Sequence, residues 1–186
     1  MGVNIPLALD FDGTLHHGDL GVMALRWLLG KSPKRWGHAV YLLARYGKVA
    51  HKVYLEKQAL KANWLPALNW DARLLAFASQ QAQKGREVLV VTGSAQTLVE
   101  NILRAHNLPY HPVIGTVANG PNLIARHKAR ALIQRYGEHG FDYAGNSADD
   151  LKVWPHARRA IIANASSSTI AKAKATSHVS QIFPKQ

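Results

Sequence analysis

Residues 5–11, 88–91, 141–144 and 160–163 are short apolar runs, each stopped by Gly, Asp, Ser, Thr or Asn and separated by stretches of helical periodicity. Apolar runs this short, without polar alternation, suit strands covered on both faces, and their alternation with helices is how a mainly parallel sheet is built. Weaker strand patterns lie at 113–117 and 181–183. Helical periodicity predicts helices over 71–83, 95–106, 126–136, 149–156 and 167–174. The fold class expected is α/β.

Between the first and second strands, residues 16–69 carry helical patterns only, broken near Ser32-Pro33 and at Gly47. With 186 residues and 47% hydrophobic content, the chain can bury one full core and one small subdomain. The expected division is therefore a catalytic core of residues 1–15 and 70–186 with a helical cap of residues 16–69. Trp27, Leu28, Val40, Leu43, Val53 and Leu60 would supply the apolar faces of that cap.

The absence of cysteine excludes a disulfide framework, a thiolate zinc site and a cysteine nucleophile. No stretch approaches the ~18 uninterrupted apolar residues of a membrane-spanning helix. Residues 5–9 are too short for a signal-peptide core, and Met1-Gly2 leads to Pro6 where an acylation signal wants Ser or Thr. A cytoplasmic location is the expectation. Lys and Arg outnumber Asp and Glu by 23 to 11, a formal charge of +12, which favours anionic ligands. Nine of those cations, against Asp19 and Glu56, fall between His16 and Trp70. Near Trp36, Val40, Tyr41, Leu43 and Arg45 the basic residues interleave with apolar ones, as in a helix resting on an anionic membrane, so peripheral membrane contact is an expectation. Nucleic acid is not an expected partner, since no RNA-binding or zinc-finger signature is present.

Each strand end carries a candidate site. Asp10-Phe11-Asp12-Gly13-Thr14 follows the first strand, where two carboxylates two residues apart can serve a metal, a nucleophilic attack or proton transfer, or form a plain turn. Thr92, Gly93 and Ser94 end the second strand and open a helix, either as an anion site or as its cap. Lys128 lies near the start of a predicted helix, where a cation opposes the helix dipole. Gly145-Asn146-Ser147-Ala148-Asp149-Asp150 again joins strand to helix, with oxygen-bearing side chains suited to a hard cation or to the first turn of the helix. His16-His17 lacks zinc-helix spacing and reads as a solvated loop pair, and Gly30-Lys31-Ser32 lacks the preceding glycine of a nucleotide-binding loop.

Asp10-x-Asp12-Gly-Thr, then Thr92, Lys128 and Gly145-Asn146-x-x-x-Asp150, in that order, resemble the four motifs of the haloacid dehalogenase-like hydrolase superfamily. The helical insertion resembles the cap of its phosphoserine-phosphatase-like branch. Residues 141–160, with Phe141-Asp142-Tyr143-Ala144-Gly145 and Ala157-Arg158-Arg159-Ala160, look most like the phosphatase-type domain found fused to UbiA-type prenyltransferases. The resemblance implies a three-layer Rossmann-like sheet with an inserted helical cap, and a magnesium-dependent phosphatase acting on a small phosphorylated substrate. By the same resemblance Asp10 is the nucleophile, Asp12 the general acid and base, and Lys128 a catalytic cation. Thr92, Gly93, Ser94 and Lys128 bind the phosphoryl group, and Asp10, Asp12, Asn146 and Asp150 serve Mg2+. Asn146 stands where the family pattern has an aspartate, which removes one negative charge from the metal set. A catalytically weakened phospho-ligand or membrane-surface module and a nucleic-acid phosphatase are the alternative functions.

Overall fold

The computed structural model describes residues 5–185, so the Met1-Gly2 acylation reading lies outside the described residues. Six strands, β1 (Leu7–Leu9), β2 (Val88–Ala95), β3 (Val113–Thr116), β4 (Asp142–Gly145), β5 (Arg159–Ala163) and β6 (Val179–Phe183), form one parallel sheet in the order β3-β2-β1-β4-β5-β6. The chain moves outward from β1 to β3 on one side, then returns to β4 and moves outward on the other. The order therefore switches direction between β1 and β4, the position at which open parallel sheets leave a crevice at their carboxyl ends.

Successive side chains of one strand enter different cores because the strand period is two. Leu7, Leu9, Val88 and Val90 face one cluster with Leu74, Leu98 and Ile102. Ala8, Leu89, Val91 and Tyr143 face the other with Leu132, Trp154 and Ala173. The helices on the two faces are α3 (Ala72–Gln83) and α4 (Gln96–Ala105), and α5 (Ala125–Tyr136) and α6 (Ser167–Thr176). The result is the three-layer α/β architecture expected.

Between β1 and β2 lie α1 (Leu20–Lys31) and α2 (Pro33–Lys61). Asp19 caps α1 by accepting from the Val22 N–H, and Ser32 caps α2 ahead of Pro33, whose missing N–H costs nothing in a first turn. Gly47, at φ 81°, breaks α2 into two arms, and His51 reaches back to the Ala39 carbonyl at 2.8 Å. Ala24, Leu28, Ala39 and Leu55 make a small separate core, with Trp27 stacked on Trp64.

Three local expectations need correction. Residues 149–156 form not a helix but two 3₁₀ turns, Asp149–Lys152 and Trp154–His156, because Pro155 has no N–H to return to the preceding turn. The first strand shrinks from 5–11 to Leu7–Leu9: Pro6 cannot donate to a neighbour, and Phe11 is already in the turn. Val40 and Leu43 do not face the cap interior; they are 37% and 39% exposed, beside Tyr41 at 52%, because the arm turns Ala39 and Trp36 inward instead. Among the described residues no helix is long and apolar enough to cross a membrane.

Candidate active site

Asp10 stands just past the end of β1, at the switch between β1 and β4, where its N–H donates to the Ala144 carbonyl at 2.9 Å. Its side chain is buried and accepts from Lys128 Nζ (2.7 Å) and Thr14 Oγ1 (3.1 Å). Burial pushes the Asp10 carboxyl up to about 7; the Lys128 ammonium opposes this, while Asp150 and Asp12 add repulsion. A cation brought to Asp10 would relieve that penalty.

Lys128 comes from the first turn of α5, and it is buried rather than solvated. Its Nζ also donates to the Tyr143 hydroxyl (2.9 Å), which donates to Asp150 Oδ1 (2.6 Å). Burial would lower the Lys128 pKa, but Asp10 and Asp150 outweigh it and hold the ammonium charged. Burial, followed by Asp150 and Asp10, raises the Tyr143 phenol well above its ordinary value, so it remains a proton donor. Asp10, Lys128, Tyr143 and Asp150 form one continuous chain.

Asp12 has a different environment. One carboxylate oxygen accepts from the Leu20 N–H (2.7 Å) and lies 3.2 Å from His16 Nε2, and the other accepts from Ser94 Oγ (2.6 Å) and Thr92 Oγ1 (3.5 Å). Burial alone would raise its pKa, but the hydrogen bonds of His16, Ser94 and the Leu20 amide outweigh it and lower the pKa below its usual value. The two acids of one motif are thus driven in opposite directions.

Several expected roles change. Neither Thr92 nor Ser94 caps α4: β2 runs on through Ala95, Thr92 Oγ1 accepts from the Ser94 N–H at 2.9 Å, and Ser94 Oγ is taken by Asp12. His16 is not a solvated loop residue. It is fully buried between Phe11 and Trp70, with Nδ1 unpartnered and Nε2 on Asp12. His16 also pairs in isolated bridges with Asp12 and Trp70, where the helical segment leaves and rejoins the sheet. Asp150, expected among the metal ligands, has one oxygen on Tyr143 and the other accepting from the N–H groups of Asn146 and Ser147 and from Ser147 Oγ. Its carboxylate orders the loop that carries Asn146 instead of facing the cavity, whereas Asp149 does reach the cavity wall.

Asp10, Asp12, Lys52, Gly93, Lys128 and Asn146 line a cavity of about 360 Å³. Gly13, at φ 72°, makes the close approach of Asn146 feasible, since a Cβ there would lie 2.1 Å from the Asn146 amide nitrogen. Gly145 is similarly required, with a Cβ falling 2.6 Å from Asp150 Cγ. The oxygen donors lining this space are the carboxylates of Asp10, Asp12, Asp19 and Asp149, the Asn146 amide, the Ser94 and Ser147 hydroxyls and the backbone. Among the described residues no cluster of three or more His, Cys, Asp or Glu makes a metal cage. A hard oxygen set of this kind, with room for water, is the donor chemistry that suits magnesium.

Lys52, Tyr143 and Asn122 escaped sequence reasoning. Tyr143 lies on a strand two residues before Gly145, and it and Ala144 are both buried on opposite faces of the sheet, but nothing local marks its hydroxyl as a partner of Lys128. Lys52 is separated from Gly93 by 41 residues, and no spacing rule joins them.

The protein is similar in fold to a predicted phosphatase from Clostridium acetobutylicum, with a TM-score of 0.64 at 14% identity over 98% of this chain and 94% of that one. It is similar also to a phosphoserine phosphohydrolase-like protein from Francisella tularensis subsp. tularensis SCHU S4, with a TM-score of 0.60 at 17% identity over 94% of each chain. A phosphoserine phosphatase solved as a phospho-aspartyl intermediate analogue gives 0.59 at 15% identity, covering 98% and 94%. In sequence, the chain is 29% identical over 158 residues to the protein y4nM of Sinorhizobium fredii, covering 85% of this chain but only 30% of the length of y4nM. Residues 7–154 match the haloacid dehalogenase-like hydrolase family, a span that contains all four strand-end motifs, and the chain belongs to that family.

Proposed function

We propose that the protein is a magnesium-dependent phosphomonoester hydrolase that passes the phosphoryl group through Asp10. The observation that supports this most is the opposed pair at the end of β1: Asp10 is aimed into a polar cavity beside Lys128, while Asp12, two residues on, is held by Ser94, His16 and the Leu20 amide. Family membership and the solved relatives called phosphatases agree with this reading. Residues 16–69 act as the cap over a core of 1–15 and 70–186, a division supported by the bridges at His16 and Trp70.

In the first step an Asp10 oxygen attacks phosphorus, the bond from phosphorus to the leaving oxygen breaks, and Asp12 gives its proton to that oxygen. The free protein holds Asp12 ionised, and a phosphate dianion entering the same cavity drives proton uptake, because like charge raises a carboxyl pKa. In the second step Asp12 takes a proton from water, whose oxygen attacks phosphorus and frees Asp10 with release of phosphate. Lys128, the Gly93 amide and Thr92 hold the remaining phosphoryl oxygens, and Tyr143 and Asp150 position Lys128. Asp10, the Asp12 carbonyl and Asn146 would hold magnesium, with Asp149 nearby and Asp150 ordering the loop. Bound there, magnesium would neutralise charge on the transferring group.

The test is release of inorganic phosphate from p-nitrophenyl phosphate with magnesium present and after chelation. Release that chelation stops supports the reading. Tight phosphate binding without release points to the weakened phospho-ligand module that Asn146 raises.

A peripheral membrane role for the cap draws support from the exposure of Tyr41 (52%) and Tyr46 (61%) beside Arg45, within the segment that holds nine Lys and Arg against two acids. Charge complementarity points to an anionic bilayer surface.

A further inference from the structure

Lys52 is the one cap cation on the cavity wall. It projects from the second arm of α2, half-buried, and its Nζ donates to the Gly93 carbonyl and to Asn122 Oδ1 (2.7 Å). Both partners are neutral. Asp12 and Asp19 attract it only through space, and among the described residues it makes no ion pair. Asp19 on the same wall has an oxygen committed to the N-terminus of α1.

Partial burial of an ammonium without a counter-ion costs free energy, and here burial is the largest cause lowering the Lys52 pKa. The other cavity cation, Lys128, is fully compensated by Asp10 and Asp150. The same cap lysine is held in place by a built cluster: Thr116 Oγ1 also donates to the Gly93 carbonyl (2.8 Å) and accepts from the Leu123 N–H (3.0 Å), which orders the loop carrying Asn122. A cation so positioned, with no counter-ion in contact among the described residues and a small polar cavity before it, matches an anion supplied by the ligand. The phosphoryl oxygens have their own donors in Lys128 and the Gly93 amide, on the core side of the cavity.

We propose that Lys52 is a specificity-determining residue that receives a second anionic group, a carboxylate or another phosphate, carried by the leaving group of the substrate. The proposal rests on the phosphatase reading and names its substrate class: small phosphomonoesters with an anionic leaving group. Substrates with an ammonium at that position are disfavoured by direct repulsion.

Three probes of nearly equal size separate the charge from the phosphoryl group: phosphoglycolate, 2-hydroxyethyl phosphate and phosphoethanolamine, whose leaving groups are anionic, neutral and cationic. For the wild-type protein with magnesium, kcat/KM falls in that order. Lys52→Met lowers kcat/KM on phosphoglycolate by at least about tenfold, mainly through KM, and on the neutral probe by less than about threefold, the difference expected for one charge-assisted contact. Lys52→Arg keeps the order, and Lys52→Glu reverses it. An equal loss on all three probes in Lys52→Met, or no charge order in the wild type, overturns the proposal. Turnover of the neutral probe tests the phosphatase reading separately. If no probe is hydrolysed, calorimetric binding of the three to Asp10→Asn, with and without Lys52→Met, reads the same order without chemistry, and equal affinities in both backgrounds overturn it.

Discussion

Asp10 and Asp71 are both buried aspartates, one at the end of β1 and one at the start of α3, yet their carboxyls stand at about 7 and about 2. Burial is the largest influence on each and raises both. At Asp71 it is overcome: the carboxylate accepts from Arg73, Asn164 (2.9 Å) and the Arg73 and Leu74 N–H groups. At Asp10 it is not overcome, because Lys128 is shared with Asp150, and the carboxylates of Asp150 and Asp12 repel the Asp10 charge. A saturated buried acid fastens the chain where the helical segment rejoins the sheet. An undersatisfied one is left with affinity for a cation and an electrophile, which is the condition a phosphoryl acceptor needs.

The largest effect separating the two should come from Asp10→Asn. It should lower phosphate release by at least about a thousandfold, since the nucleophile is lost, while the thermal midpoint in the absence of metal stays equal or rises. Retained turnover in steady-state assays would move the nucleophile elsewhere. Asp12→Asn should also be severely impaired, because the proton path of both steps is removed.

Asp71→Asn should do the reverse, lowering stability by about 1–3 kcal/mol through loss of the ion pair with the partly exposed Arg73, while an amide oxygen can still cap α3, with kcat nearly kept in the folded fraction. Urea unfolding followed beside activity checks this; a large kcat loss at full stability would make Asp71 part of the reaction.

The two carboxyls should also separate in pH. Asp71 has a depressed pKa, so its stabilisation is complete above its ordinary value of 3.8 and is lost as the pH falls towards 2. Asp10 has a raised pKa, so its contribution is complete below 3.8 and is lost as the pH rises through about 7. With chelator present, the stability gain of Asp10→Asn over wild type should therefore grow between pH 4 and pH 8, and the deficit of Asp71→Asn should shrink only below pH 4. Parallel curves would mean the two sites are electrostatically alike.

Asn146→Asp should lower the magnesium concentration for half-maximal rate by about tenfold and raise the maximal rate, because it adds a charged hard ligand beside Asp10. An unchanged magnesium dependence would indicate that Asp149 already supplies that charge.

The smallest effect on either carboxylate should come from changing Lys31, Lys34 and Arg35, all exposed, together to Glu. Turnover of p-nitrophenyl phosphate should change by less than about twofold, since exposed charges beyond a Debye length are screened. Cosedimentation with anionic vesicles should be lost, whereas equal recovery with neutral and anionic vesicles would leave the cap as a substrate lid.

Periodicity was enough to determine the α/β class, all six strands and the helical segment between β1 and β2, because apolar spacing and the stops at Asp, Gly and Pro act over a few residues. The strand-end motifs Asp10, Asp12, Thr92, Lys128 and Gly145-Asn146 were legible for the same reason, and the sheet brings Asp10, Asp12, Lys128 and Asn146 to one cavity, with Thr92 buried behind Asp12. What only tertiary structure decided is which polar atoms meet. The opposite pKa shifts of Asp10 and Asp12 depend on Lys128, His16 and Ser94, and the Asp150 carboxylate is taken by Tyr143 and the Asn146–Ser147 backbone. His16 looked like a loop residue until Phe11 and Trp70 enclosed it. Lys52 looked like one of nine cap cations until the fold placed it against Gly93. Lys128, Ser94 and Lys52 meet partners 118, 82 and 41 residues away in the chain, and even the near contacts, such as His16 on Asp12, form only because distant elements enclose them.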